Sequence, residues 1–426
     1  MAFPLGAACT VALAAAAGAQ GVHAALAQSG SVSADGVARR SSIRLPFDAV
    51  LRASNAATTG ASNLYQTLAA TIQLGTPPVT LSVVLDTGSP SFWVTSALCV
   101  QGNGCQAARK QLYNPNKSST AASTGLVAQR SYGDGTSVQF EIFNDTLSIA
   151  GVDVPNQPVG AAVYFKDPTH AATDGLIGLA PPNVRDPVGV FGNLRSAFTR
   201  SMVSFYYNRK VISIDASGLV PNAGEITFGE PNRDRMAGEF AWLPINSTAP
   251  YWQTVVDSMT VNGVTAQANV QALIDTGTTD AIITPALFAL VTRAIGSSLN
   301  VTTQVFDCSV AKSLPPITFR MSGMDFLIPW QNQVIVKNGV CYTIFSQGSA
   351  TEMILGASFQ RGFYTTFNFD NSSIGIARLA EDQTGSYDPF EGNMGSTKNG
   401  AGRARSGSVA ALASLVVALA AGIALL

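Results

Sequence analysis

One stretch of text occurs twice in this chain, and it restricts the fold more than any other feature. Val83-Val84-Leu85-Asp86-Thr87-Gly88-Ser89 returns as Ala272-Leu273-Ile274-Asp275-Thr276-Gly277-Thr278: three apolar residues, Asp-Thr-Gly, and a hydroxyl residue. A second shared text follows each copy at a distance, Gly175-Leu176-Ile177-Gly178 in one case and Met353-Ile354-Leu355-Gly356 in the other. Such self-similarity predicts two related halves built on one plan. From about Leu64 to Leu379 the chain is a series of short runs rich in Val, Ile, Phe, Tyr and Thr between turn clusters: TIQL, LSVVLD, VISID, EITFG, QALID, DAIIT, VIVK, YTIF and TTFNF. That pattern reads as mainly β. Helical patterns are few, the best being Leu194 to Thr199 and Pro285 to Ile295, which opens with proline in its first turn.

A strand that ends in Asp-Thr-Gly delivers a carboxylate onto a tight turn, where glycine permits close backbone approach and the hydroxyls bond within the turn. Two such turns facing each other across a pseudo-two-fold axis bring two carboxyl groups into contact, and like charges that close do not both ionise. One proton is then shared, and the pair titrates as a unit. The ionised member serves as general base on a water while the protonated member polarises a carbonyl. Composition removes the competitors. There are two histidines, His23 and His170, and the first lies in an N-terminal apolar segment, so a zinc site built on a histidine pair is excluded and a Ser-His-Asp triad would rest on His170 alone. With 12% charged residues and a net charge of -1, no basic surface for nucleic acid is on offer.

Both ends read as processing signals. Residues 1–27 form an apolar, Ala-rich signal peptide, the alternative being a buried Ala-rich helix. Residues 28–63 read as a pro-segment or linker in which nothing suggests a fold, with a dibasic processing option at Arg39-Arg40. A polar linker, 386–408, carries the small-residue set Asn399-Gly400-Ala401, with Asn399 the candidate attachment site, and an apolar tail follows at 409–426. This order fits a GPI signal whose tail is removed. A retained helix is the alternative, which Arg403 and Arg405 ahead of the tail disfavour. Either way the membrane is a partner, through a lipid anchor or a C-terminal helix. The expected address is the secretory pathway, ending at the cell surface or outside the cell. Five cysteines become four once Cys9 leaves with the signal, which implies two disulfides among Cys99, Cys105, Cys308 and Cys341, with local pairing the simplest connectivity. Sequons at Asn116, Asn144, Asn246, Asn300 and Asn371 suit the same compartment.

Over roughly residues 65 to 380 the chain resembles the pepsin-like aspartic proteases. Beyond both Asp-Thr-Gly texts, the match includes Leu74-Gly75-Thr76-Pro77-Pro78, Phe92-Trp93-Val94, Tyr132-Gly133-Asp134-Gly135, Asp174 to Leu179, and Ile354-Leu355-Gly356 through Phe363-Tyr364. It is similar above all to the fungal-type, GPI-anchored, yapsin-like cell-surface members. The resemblance implies a mainly β, bilobal pepsin-like fold with lobes at 64–213 and 214–385 and a cleft between them. It implies an aspartic endopeptidase made as a zymogen, monomeric, acting on polypeptides without cofactor or metal. Asp86 and Asp275 would be the pair, supported by Ser89 and Thr278 beside Gly88 and Gly277. Tyr132, Gly133 and Asp134 would lie on a mobile hairpin, the flap, with Trp93 hydrogen-bonded to Tyr132; an ordinary hairpin aromatic and a plain core aromatic are the alternatives. The family's disulfides would be Cys99–Cys105 and Cys308–Cys341. Three departures stand out: Ala357 where many members have Asp, Asp280 where an apolar residue is usual, and Phe140-Glu141 where small residues are common. Two other readings stay open: a pepsin-fold binding protein without catalysis, and a sugar-kinase or actin-like ATPase, which needs long amphipathic helices.

Overall fold

Why the first Asp-Thr-Gly strand ends in an unbroken apolar run, Val83-Val84-Leu85, is explained by what lies on its two faces. In Val79–Asp86, Leu81, Val83 and Leu85 enter the main core. Val84 points the other way, into a second cluster with Trp93, Val138, Phe140, Leu176 and Val188. A strand covered on both faces needs continuous apolar sequence. The computed structural model describes residues 31–32, 38–51, 66–100, 104, 111–167, 173–181, 186, 188–209, 219–245, 250–337, 339–383 and 389. The architecture is mainly β and conforms to the bilobal pepsin-like fold.

The paired texts of the repeat are neighbouring strands. Gly175–Gly178 runs parallel to Val79–Asp86, with Gly178 opposite Asp86, and antiparallel to Phe92–Thr95. In the second half, Glu352–Leu355 runs parallel to Val264–Ile274, with Leu355 opposite Ile274, and antiparallel to Ala281–Ile283. Parallel neighbours need a long crossover, which is why the two texts recur so far apart in sequence.

A 13-stranded sheet runs from an edge at Met236–Pro244 to the opposite edge at Ala122–Ser131, and a 7-stranded sheet belongs to the second half. The division between residues 213 and 214 falls outside the described residues. On either side of it, Met202–Tyr207 and Leu219–Gly229 are antiparallel neighbours, so hydrogen bonds join the halves there. Trp252, fully buried, adds a cross-tie by donating its indole N–H to the Leu179 carbonyl at 2.7 Å.

One sequence expectation needs correction. Residues 28–63 do contain folded chain: Ser42–Leu51 is a strand between Leu219–Gly229 and Gln66–Leu74. Its text alternates, so Ile43, Leu45 and Phe47 are buried while Arg44, Pro46 and Asp48 are half-buried. The helix Pro285–Ile295 forms as expected. At the other candidate, Phe191–Leu194 is helical and Arg195–Ala197 is a 3-10 turn, because Phe191 and Leu194 share the buried face and Phe198 is already extended. With 11 residues in Pro285–Ile295, the longest helix among the described residues, the ATPase reading has no scaffold.

Cys308 and Cys341 are bonded, with Cα atoms 5.3 Å apart. Cys99 is also disulfide-bonded, while Cys105 lies outside the described residues, as do Asn246, Asn399 and the segments 1–30 and 390–426. Asn116, Asn300 and Asn371 are exposed, and Asn144 is half-buried within a strand. Among the described residues no helix is long and apolar enough to cross a membrane.

Candidate active site

Asp86 closes the strand Val79–Asp86, and Asp275 directly follows Val264–Ile274. The strands deliver both carboxyls to one place at the junction of the halves, where Asp86 is 5% and Asp275 7% exposed. Each is held in the same way. The Gly88 amide donates to Asp86 Oδ1 at 2.8 Å, and the Gly277 amide donates to Asp275 Oδ1 at 2.8 Å. The Ser89 hydroxyl donates to Asp86 Oδ2. Its counterpart, the Thr278 hydroxyl, donates to Asp275 Oδ2 at 2.6 Å.

The two loops lock through their threonines, a role the sequence did not announce. The Thr87 amide donates to Thr276 Oγ1 at 3.0 Å, and the Thr276 amide returns the bond to Thr87 Oγ1 at 3.0 Å. The hydroxyls continue across, Thr87 to the Ile274 carbonyl at 2.9 Å and Thr276 to the Leu85 carbonyl at 2.8 Å. Both threonines are fully buried, so these bonds are shielded from water and losing one leaves orphaned polar groups. Identical threonines in the repeat were the available signal.

The glycines bring the carboxyls together. A Cβ on Gly88 would lie 2.6 Å from Asp275 Oδ1, and one on Gly277 would collide with Asp86 Oδ1. Each Asp-Thr-Gly turn is therefore seated against the opposite carboxyl. Burial, followed by the neighbouring charge of Asp275, pushes the Asp86 carboxyl well above the usual carboxylate range, against the opposing pull of the Ser89 and Gly88 donors. The Asp86 carboxyl therefore keeps its proton to a higher pH than an isolated carboxyl does.

Above it stands a hairpin made of Ala122–Ser131 and Ser137–Ile149. Tyr132 begins its tip, where the Tyr132 amide donates to the Thr136 carbonyl at 2.9 Å and the Gly135 amide to the Tyr132 carbonyl at 3.1 Å. The Tyr132 hydroxyl accepts the Trp93 indole N–H at 2.7 Å. Trp93, 4% exposed, is thus a core aromatic and a hydrogen-bond donor at once. Burial and the charge of Asp86 raise the Tyr132 phenol above its ordinary pKa, keeping it neutral. Gly133 and Asp134 are exposed at the tip, and Asp134 Oδ1 accepts the Thr136 amide at 2.9 Å, a turn-closing bond. Asp280 accepts from Gln304 Nε2 at 2.9 Å, and Phe140 packs in the cluster under the hairpin.

The arrangement suits activation of a water between two carboxyls, with the Tyr132 hairpin beside them. Among the described residues no group of three or more His, Cys, Asp and Glu is placed to hold a metal. The family model described as eukaryotic aspartyl protease matches residues 67–379. Pepsin-2B of Gadus morhua is 31% identical over 321 residues, covering 72% of this chain and 95% of that protein. Pepsin A of Suncus murinus is 32% identical over 330 residues, 73% and 80% of the two chains, and chymosin of Camelus dromedarius 31% over 318 residues, 72% and 79%.

Proposed function

Because the chain belongs to the eukaryotic aspartyl protease family and is an aspartic endopeptidase, we propose that Asp86 and Asp275 are its catalytic pair. The observation that carries this is the mutual seating of the two Asp-Thr-Gly turns, each glycine against the opposite carboxyl. The ionised carboxyl takes a proton from a bound water as the water oxygen attacks the scissile carbonyl carbon. The protonated carboxyl gives its proton to the carbonyl oxygen, producing a tetrahedral diol. The protonated carboxyl then gives its proton to the leaving nitrogen while the ionised one takes a proton from a diol hydroxyl; the C–N bond breaks to give an amine and a carboxylic acid, and the pair is again singly protonated. Tyr132, held by Trp93, closes the hairpin over the substrate and limits water around the reacting atoms. Incubating the protein with a mixed peptide library across pH 3 to 7 tests the reading; absence of cleavage anywhere in that range would favour the binding-protein alternative.

We further propose that the hairpin tip helps select substrate. Asp134 is exposed there beside Tyr132, and a carboxylate under a closing hairpin pairs with a substrate Lys or Arg more strongly than in open solvent. For paired peptides with Lys or Leu before the cleaved bond, Asp134→Asn is expected to lower the Lys/Leu ratio of kcat/KM by roughly tenfold, about 1.4 kcal/mol. An unchanged ratio would make Asp134 a turn residue only.

The proposed itinerary is a signal peptide at 1–27, a pro-segment within 28–63, lobes at 64–213 and 214–385, and a GPI signal ending in the tail 409–426. Its support is the order of small residues, polar spacer and terminal apolar run. Phosphatidylinositol-specific phospholipase is expected to release the protein from membranes without residues 409–426; mass spectrometric recovery of those residues from the membrane-bound mature form would establish a retained helix instead.

A further inference from the structure

The outer strand of the hairpin, Ala122–Ser131, is the edge strand of the large sheet. It buries almost nothing: eight of its ten residues are exposed, Leu126 at 57% and Val127 at 74%, and only Ala128 and Arg130 are half-buried. Its pairing with Ser137–Ile149 is interrupted between Ser123 and Val127. Such a strand has little packing to fix its position over the site. Period-two alternation places Arg130 on the same face as Tyr132, and its guanidinium provides what packing does not. Nε donates to Ser91 Oγ at 2.7 Å and Nη2 to Asp186 Oδ2 at 2.7 Å. The group lies 5.8 Å from the centroid of Phe140.

The receiving end is buried. Ser91 is fully buried, and its hydroxyl donates to the same Asp186 Oδ2 at 2.8 Å, closing a three-membered ring of charge-assisted bonds. The Asp186 side chain is 4% exposed, and its Oδ1 accepts the Val188 amide at 2.9 Å. Ser91 lies two residues beyond Ser89, and its carbonyl accepts the amide of Gly178, the residue paired with Asp86. A short path of bonds therefore runs from beside the tip of the hairpin to the loop that holds the first aspartate.

We propose that Arg130, Asp186 and Ser91 form a clamp that fixes the hairpin over the Asp86–Asp275 pair, making Arg130 a positioning residue for hydrolysis. The clamp rests on the protease reading only for its effect on rate; its effect on the hairpin is independent of it. The guanidinium makes its two bonds from two separate nitrogens held in one plane, a geometry that the single nitrogen of lysine, which keeps the charge, does not reproduce.

The test uses the full chain with Arg130→Gln, Arg130→Lys, Asp186→Asn and the Arg130→Gln/Asp186→Asn double variant, the last avoiding an unpaired buried carboxylate. Two readouts are taken: hydrogen exchange of the amides in residues 122–136 without substrate, and kcat, KM and kcat/KM on one peptide. Faster exchange confined to the hairpin is expected in all four variants. A fall in kcat/KM of about tenfold is expected for both Arg130 variants, with the double variant no worse than the worse single, as for groups acting as one unit. Unchanged hairpin exchange in Arg130→Gln and in the double variant would overturn the clamp, whether or not the wild type cleaves peptides. Full activity of Arg130→Lys would overturn the two-armed requirement.

Discussion

Alanine at position 88 or 277 is expected to lower kcat/KM by about a hundredfold or more while both aspartates remain in place. The added methyl at 88 would stand 2.6 Å from Asp275 Oδ1 and 2.7 Å from its Cγ, well inside van der Waals contact. The carboxyl has little freedom to yield, since one oxygen is held by the Gly277 amide and the other by the Thr278 hydroxyl. At 277 the methyl would be driven into Asp86, which the Gly88 amide and Ser89 hydroxyl hold in the same manner. Overpacking of this kind costs about 1–3 kcal/mol of stability, too little to unfold an ordinary domain. Steady-state kinetics together with affinity for a statine-type transition-state mimic check the expectation. Activity within threefold of wild type in either variant would show that the turns do not set the spacing of the pair.

Much of this site was legible because it is written twice. The repeated apolar-apolar-apolar-Asp-Thr-Gly text placed both carboxyls at strand ends, and the second repeated text turned out to be the parallel neighbour of each strand. Tyr132 and Trp93 were legible through the resemblance, and the 2.7 Å bond between them follows it. What escaped had partners remote in sequence and no local mark. Thr87 and Thr276 exchange bonds across 189 residues, and nothing beside either threonine says that its hydroxyl faces the other copy. Arg130 meets Ser91 and Asp186 at separations of 39 and 56 residues, so its sequence neighbours mark only a charged residue on a strand. Ser42–Leu51 was missed for a different reason. Its Ile43-Leu45-Phe47 alternation is brief and set among Ser- and Ala-rich text, and it gains meaning only from the strands on either side that leave a place for it.

Replacement of either aspartate carries the largest expected effect. Asparagine keeps the shape of the side chain but neither takes a proton from water nor holds one for the carbonyl oxygen, so the shared-proton system ends with one substitution. The expected loss in kcat/KM is at least about a thousandfold for Asp86→Asn and for Asp275→Asn. Stability should move the other way for the first of these. The Asp86 pKa is raised in the folded protein by burial and by Asp275. A carboxyl of that kind contributes stability that is fully present below its unfolded pKa and lost as pH rises through its folded pKa. Asp86→Asn cannot ionise and escapes that loss, so above the ordinary carboxylate range it should melt at or above the wild-type temperature. The central test is therefore kcat/KM on one peptide at the wild-type optimum, measured beside thermal melting for wild type, Asp86→Asn and Asp275→Asn. The paired carboxyls predict an active wild type and two folded variants at least about a thousandfold slower, and a folded variant of either kind turning over at near the wild-type rate would contradict them.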